Sequence, residues 1–448
     1  MTHTLTPRVV THPVTHPPAH PVVQARLHPL RNRHHVVAPS LRVPDGAPGS
    51  VFAAIRQRGP VARDAIATLT SLSIATVNRQ VSALLDAQLL RERPDLAVPG
   101  AIGRPRVPVE INHEPYLTLG LHIGARTTSI VAVDLFGRTL DVVETPTSGG
   151  SPAVSLAALA GSARRYLARW HRRRPLWVGV AIGGVVDSTA GQVDHPRLGW
   201  AQAPVGAVLG AALGLPVSVA SHVDAMAGAE LLLAARRSRC ADRASSLYVY
   251  ARETVGYALV IGGRVHTPAS GPGTITGLPV HSELLAGGRA GLEATVSDEA
   301  VLAAARGAGI LPPARGAGRA TSPGPGSTIA ALARLARQGR DGRSLAAREL
   351  LAERANVLGG AVALLRDLLN PDDVVVGGQA FTEYPEGLPD VNAAFAEQSM
   401  LGSRDIRVTA FGHRVQEAGA GVVSLSSLYA DPLGALRRSA QHRPEVSA

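Results

Sequence analysis

Between Ser73 and Leu85, small and hydrogen-bonding side chains gather on one side of a helical repeat: Ala75, Thr76, Arg79, Gln80 and Ser82, with Asn78 at the flank. Ile74, Val77, Val81, Leu84 and Leu85 recur on the other side at about 100° per residue. Ser73 stands just before the run and is suited to cap it, because its hydroxyl can accept from a free amide of the first turn. A helix face that is small, polar and almost free of acids can enter a major groove about 12 Å wide and read base edges there. Arg79 is the best candidate to pair with a guanine, with Ser73 and Thr76 beside it. Further along, Gly103-Arg104-Pro105-Arg106 offers two guanidinium groups, Arg104 and Arg106, for phosphate or the adjacent minor groove. The chemistry these residues point to is recognition of double-stranded DNA.

The elements around them are those that such a face needs. Val51, Phe52 and Ile55 mark a first helix closed by Gly59-Pro60, and Ile66 and Leu69 mark a second. A turn ending in Ser73 leads into the third. Two short strands follow, one around Leu89–Arg91 and one carrying Val107, Val109 and Ile111 in alternation, with the arginine-bearing loop between them. Residues 47–112 are therefore expected to form a winged helix-turn-helix.

Charge alone does not decide the matter. The chain carries a net +11, and residues 1–112 hold 13 arginines against 6 acids, a concentration that fits a polyanionic partner. Yet all 45 basic residues are arginine and none is lysine, as codon bias alone could produce. With 448 residues and 45 % hydrophobic content the chain can build two or three cored domains. No apolar run reaches the roughly 18 residues of a membrane span, no secretory signal is visible, and a cytoplasmic location is expected. Cys240 is the only cysteine, which excludes an intrachain disulfide and a cysteine-rich zinc site.

Residues 1–46 hold 7 of the 16 histidines within their first 35 positions, scattered among prolines without periodicity, and are expected to be a disordered tail. From Pro115 onward strands and helices alternate through 115–430. A first cycle (115–240) runs from YLTLGLHIG to DAMAGAELLLAARR. A second (245–413) runs from SSLYVYARETVGYALVIGGRV to DDVVVGGQAF, and residues 414–430 read as a returning helix before a polar tail at 431–448. Two α/β cycles of similar order predict two lobes facing a cleft, where α/β proteins bind ligands.

With these segments laid out, the chain resembles the ROK family (repressor, open reading frame, kinase), in its transcriptional-regulator branch, over roughly residues 50–430. LSIATVNRQVSALLDAQLL followed by GRPRVPVEIN is similar to the family's recognition helix, wing and exit strand. LTLGLHIGARTTSIVAVDLFGR, GVAIGGVVD, RLGW and LNPDDVVVGGQ fall where the family has related segments. The resemblance implies a two-lobed actin-like sugar-kinase fold behind an N-terminal DNA reader. The function it implies is a transcriptional regulator, of the repressor type, and the alternative is an ATP-dependent hexose kinase.

The departures bear on which. Kinases of the family place an Asn-Asp pair, whose carboxylate takes the proton of the attacking sugar hydroxyl, where this chain has Ser221 and His222. His122 stands in place of an Asp, and Arg252-Glu253-Thr254 fills what should be a glycine-rich phosphate turn. Three parts of a phosphoryl-transfer site are altered together, so no catalytic residue and no cofactor is expected. The family's structural zinc needs a histidine and three cysteines, and Gly277, Leu284, Ala286 and Gly291 stand in those positions. Without metal, packing of Ile275, Leu278, Leu284, Leu285 and Leu292 has to hold that segment.

Among residues that contact sugar in relatives, Glu293 is retained, while Arg197, Ser221 and His222 are replacements. If the cleft binds an effector, Arg197 and a chargeable His222 would favour an anionic or acidic sugar. Alternatively both side chains pair with Asp194, Asp224 or Glu293 and close an unused pocket, leaving a domain that only oligomerises. A homodimer or homotetramer would present two modules to an inverted-repeat operator.

Overall fold

The computed structural model describes residues 35–97, 107–234, 244–268, 271–313, 328–402 and 405–442. The expectations for Arg104, Arg106 and Cys240, and for the His/Pro-rich residues before His35, lie outside the described residues. Helix α1 (Ala47–Arg58) starts with a proline in its first turn and stops at Gly59, whose φ of 74° is left-handed. Helices α2 (Arg63–Thr70) and α3 (Ile74–Asp86) are joined through Ser71, which also turns left-handed at φ 56°. Strands β1 (Leu90–Glu92) and β2 (Val109–Ile111) pair antiparallel, with Arg91 opposite Glu110, and Val61 bridges to Val109. Val51, Phe52, Ile55, Ile66, Val77, Val81, Leu84, Leu89 and Val109 are fully buried between these elements. The winged helix-turn-helix is present as the spacing predicts.

Two apolar positions depart from the expected pattern. Ile74 is 50 % exposed and Leu69 is 45 % exposed. Ile74 is the first residue of α3, and a helical side chain leans toward the helix N-terminus, so it projects past the edge of a small core.

The first lobe is built on β3 (Tyr116–Ile123), β4 (Thr127–Val133), β5 (Thr139–Pro146), β6 (Arg174–Ile182) and β7 (Val217–Ser221). Their order is β7-β6-β3-β4-β5, with β3 to β5 an antiparallel meander and β6 and β7 parallel to β3. The second lobe repeats this plan with β8 (Ser246–Ala251), β9 (Val255–Ile261), β10 (Arg264–His266), β11 (Asp373–Gly377) and β12 (Ile406–Val408), in the order β10-β9-β8-β11-β12. Two matching open sheets in one chain are the actin-like arrangement. Helix α4 (His222–Leu232) follows β7 at the seam between lobes, and α5 (Gly342–Leu369) covers the second lobe.

Helix α6 (Val415–Ala430) returns from the second lobe and lies across the first sheet. There it comes within backbone distance of Gly120 on β3 and Gly179 on β6, where an added Cβ would sit 2.8 Å from the Ala420 carbonyl carbon and 2.7 Å from the Ser424 Cα. Ser424, fully buried, donates to Thr118 at 2.7 Å and ties helix to sheet.

The two expected tails require correction. Residues 35–46 form a strap, not a disordered segment. The Val37 amide donates to Val217 at the edge of the first sheet, and Val43 donates to Gly263 beside β10 at the edge of the second. Leu41 is buried against Gly228 of α4. Residues 432–441 are helix α7 (Pro432–Gln441), capped by Asp431, whose carboxylate accepts from the Gly434 amide at 3.0 Å. No helix among the described residues is long and apolar enough to cross a membrane.

Candidate functional site

On α3 the side chains Ser73, Ala75, Asn78, Arg79 and Ser82 are exposed, and Thr76 and Gln80 are half-buried. The Ser73 hydroxyl accepts from the Thr76 amide at 3.2 Å and donates to the Thr76 hydroxyl at 2.9 Å, so these two residues fix the start of the helix. Arg79 has no ion-pair partner among the described residues. Its neighbours on the wing stem differ. Arg91 and Arg93 donate to Glu110 at 2.7 and 2.9 Å, and Arg93 also meets Asp95 at 2.7 Å. Burial pushes the Glu110 carboxyl up, but the hydrogen bonds from both arginines outweigh it and hold it below the usual carboxylate range. The wing-stem arginines are neutralised within the module, while Arg79 faces outward uncompensated.

The module is seated on the lobes through α6. The Arg56 guanidinium lies 4.3 Å above the Tyr429 ring and donates to the Leu232 carbonyl at 2.8 Å. Phe52 packs on the same ring at 6.3 Å. Gly49 of α1 leaves no room for a side chain, since a Cβ there would come within 2.6 Å of the Ala430 carbonyl oxygen. The Tyr429 hydroxyl donates to the Leu135 carbonyl at 3.1 Å, and burial pushes its pKa up to about 12, so it remains a donor.

Between the lobes lies a cleft of about 430 Å³. Arg197, His222 and Glu293 reach it from three separate elements, as the resemblance implies, whereas Ser221 is buried behind it with its hydroxyl unpartnered. His122, His195, Tyr250, Arg252 and Gln416 complete the lining. His222 and His122 stack with centroids 6.1 Å apart, and His222 meets the Tyr250 ring at 5.2 Å. Gln416, in the first turn of α6, donates to the Tyr250 hydroxyl at 2.7 Å and accepts from Arg252 at 2.6 Å. Nε2 of His122 and Nε of Arg252 are buried without partners. Glu293 accepts from the Val255 amide at 3.1 Å and so supports the start of β9.

Both charge assignments behind an anionic effector need correction. Burial, reinforced by the charges of His195 and Arg252, lowers the His222 pKa to about 4, and burial first of all holds His122 well below its ordinary value. Both imidazoles are neutral at neutral pH. Arg197 forms an ion pair with Glu299 and donates to the Glu253 carbonyl at 3.0 Å, so its charge is compensated at the rim. Its partners are none of the three acids expected from sequence, and the pocket stays open. With an imidazole of such low basicity at position 222, the cleft offers a hydroxyl-bearing ligand neutral donors and acceptors on His122, His222, Tyr250 and Gln416, beside the Arg252 guanidinium, which meets no acid among the described residues.

The segment that holds zinc in relatives lacks the donors for it. Gly277, Leu284, Ala286 and Gly291 carry no ligating atom, and no group of three or more candidate ligands occurs among the described residues. Leu292 is buried there with Ile275 and Leu278 packed alongside, while Leu285 is buried in a separate cluster with Val301 and Leu302. Leu284 is a correction: it is 42 % exposed, because the four-residue helix Glu283–Ala286 turns only Leu285 inward.

Residues 118–428 match the sequence profile of the ROK family. Transcriptional regulators of Mycobacterium tuberculosis and Mycobacterium bovis are each 70 % identical over 414 residues, covering 92 % of this chain and 93 % of theirs. Among solved structures, a ROK family transcriptional regulator homologous to the Escherichia coli MLC protein superposes with a TM-score of 0.68 at 23 % identity. It covers 88 % of this chain and 98 % of its own. A ROK family glucokinase from Streptomyces griseus, solved with glucose and AMPPNP, superposes with a TM-score of 0.56 at 21 % identity over 69 % of this chain and 99 % of its own.

Proposed function

Because the chain belongs to the ROK family, we propose that it is a DNA-binding transcriptional regulator whose kinase-like domain senses a ligand and does not phosphorylate it. The observation that carries the reading is the outward face of α3. Its arginine is free of internal acids while those on the wing stem are paired. Arg79 is positioned to pair with guanine, and the exposed Ile74 at the helix start can rest on a thymine methyl. Arg104 and Arg106 take phosphate or minor-groove contacts. A homodimer or homotetramer sets two modules on half-sites one or two turns apart, about 34 Å per turn.

The effector in this reading is a small hydroxylated molecule of the sugar class, bound in the cleft by hydrogen bonds from its polar lining, the Arg252 guanidinium included. Its link to DNA runs along α6. Gln416 at one end of the helix holds Tyr250 and Arg252, and Tyr429 at the other end carries Phe52 and Arg56 of the module. A ligand that displaces Gln416 from these partners shifts the helix on which the module sits. Tuberculosis and bovis relatives named as regulators, at 70 % identity, support the regulatory reading over the kinase one.

Two assays on the full chain test this together. Selection from random duplexes should enrich an inverted repeat, and ATP with a panel of hexoses should release no ADP above the protein-free rate. Stoichiometric turnover of any hexose would establish the kinase alternative.

A further inference from the structure

A second cavity, of about 530 Å³, shares no lining residue with the cleft. Its roof is the strap, Ala38 to Arg42, its floor is Ala220 and Asp224, and its far wall is Arg264 to Thr267 on the edge of the second lobe. The strap pairs with the first sheet on one side of the cavity and the second sheet on the other, then enters α1 of the DNA-reading module. The space therefore sits where both lobes and the module are tied together. Its volume falls in the range of small-molecule sites, roughly 300–1,000 Å³.

Its chemistry is uneven. Asp224, in the first turn of α4, is 1 % exposed, and neither carboxylate oxygen meets a partner in hydrogen-bonding geometry. Burial raises its pKa to about 7, with the Thr267 hydroxyl pulling the other way. A buried acceptor left unmet is costly and calls for a donor. Arg264 is exposed on the same cavity and has no ion-pair partner among the described residues, whereas Arg42 is tied to Ser40 and Asp45.

We propose that this cavity binds a small zwitterion, its ammonium group against Asp224 and its anionic group toward Arg264. An ammonium supplies three donors and a compensating charge to a carboxylate that meets no cation and has only the Thr267 hydroxyl near it. A neutral polyol could donate to Asp224 but would leave the carboxylate uncompensated and Arg264 unused. A plain anion would face a buried carboxylate. One carboxylate is too few for a metal ion, and no cluster of candidate ligands lies among the described residues. An occupied cavity holds the strap against both lobes, which gives the regulator a second input, independent of the cleft.

The test is thermal shift followed by calorimetry on the full chain, using the proteinogenic amino acids, phosphoethanolamine and 4-aminobutanoate. The single-charge controls are 4-hydroxybutanoate and n-butylamine. At least one zwitterion should raise the melting temperature. Asp224→Asn should weaken its binding by about tenfold or more, and so should Arg264→Ala, a surface change that leaves the core intact. Glu293→Gln in the cleft should leave it unchanged. No shift with any zwitterion, equal binding of a single-charge control, or binding that survives both variants would overturn the proposal.

Discussion

Gly179→Ala is expected to destabilise the protein by about 3 kcal/mol or more, a large effect for one methyl group. The added Cβ on β6 would lie 2.7 Å from both the Ser424 Cα and the Val423 carbonyl carbon of α6, closer than such atoms approach. Overpacking in a core costs about 1–3 kcal/mol where side chains can turn aside. Here the obstacle is backbone, so helix and sheet must separate along a seam that also carries the Ser424–Thr118 hydrogen bond. At roughly 2–4 °C per kcal/mol for a large domain, the melting temperature should fall by about 6–12 °C. Gly120→Ala, which meets Ala420 at 2.8 Å, should follow the same course. Gly421→Ala should do less, because it meets the Val133 side chain at 3.1 Å and that side chain can move. Equal melting of Gly179→Ala and wild type would mean that α6 does not rest on this sheet as described.

The second large effect is a pH dependence held by Asp224. Its folded pKa of about 7 lies above the ordinary 3.8, so the folded state binds a proton that the unfolded state has released. The contribution is therefore unfavourable at high pH: stability falls as pH rises from about 4 to about 7 and then levels. At about 1.36 kcal/mol per pH unit the ceiling is on the order of 4 kcal/mol. His222 acts in the opposite sense. Its lowered pKa of about 4 costs stability as pH falls below the ordinary 6.5, which masks the Asp224 effect in the wild type alone. The difference between Asp224→Asn and wild type removes the histidine. Measured by thermal denaturation from pH 4 to 9, that difference should favour the variant increasingly up to about pH 7 and then stay constant. A difference that does not vary with pH would contradict a buried, uncompensated carboxyl at this position.

Helix α3 was legible because its information is local: Ser73 as cap, three buried apolar positions at helical spacing, and a contrasting outer face. The wing strands were legible by alternation alone. The strap was not, since His35 to Val43 follow no period and find their partners at the edges of two sheets, at Val217 and Gly263. Arg197, His222 and Glu293 line one cleft, but the neutrality of His222 and the pairing of Arg197 were not legible in the sequence. Those depend on burial and on Glu299, 102 residues from Arg197. Tyr250, Arg252 and Gln416 form a hydrogen-bonded set spanning 166 residues of chain, and no short motif announces them. The departures at His122 and Arg252 were visible as departures. Their surroundings, a buried neutral imidazole at His122 and an Arg252 guanidinium held by Gln416, required the fold.

The claim on which the account rests most is that α3 reads DNA through Arg79. The measurement is an anisotropy titration of the full chain, wild type and Arg79→Ala, on a selected operator and on variants at each base position at fixed salt. Arg79→Ala is expected to lose about 1–3 kcal/mol on the operator and no longer to distinguish the base at one guanine position, while retaining its weak non-specific binding. Equal affinity and an unchanged base preference in the variant would contradict it.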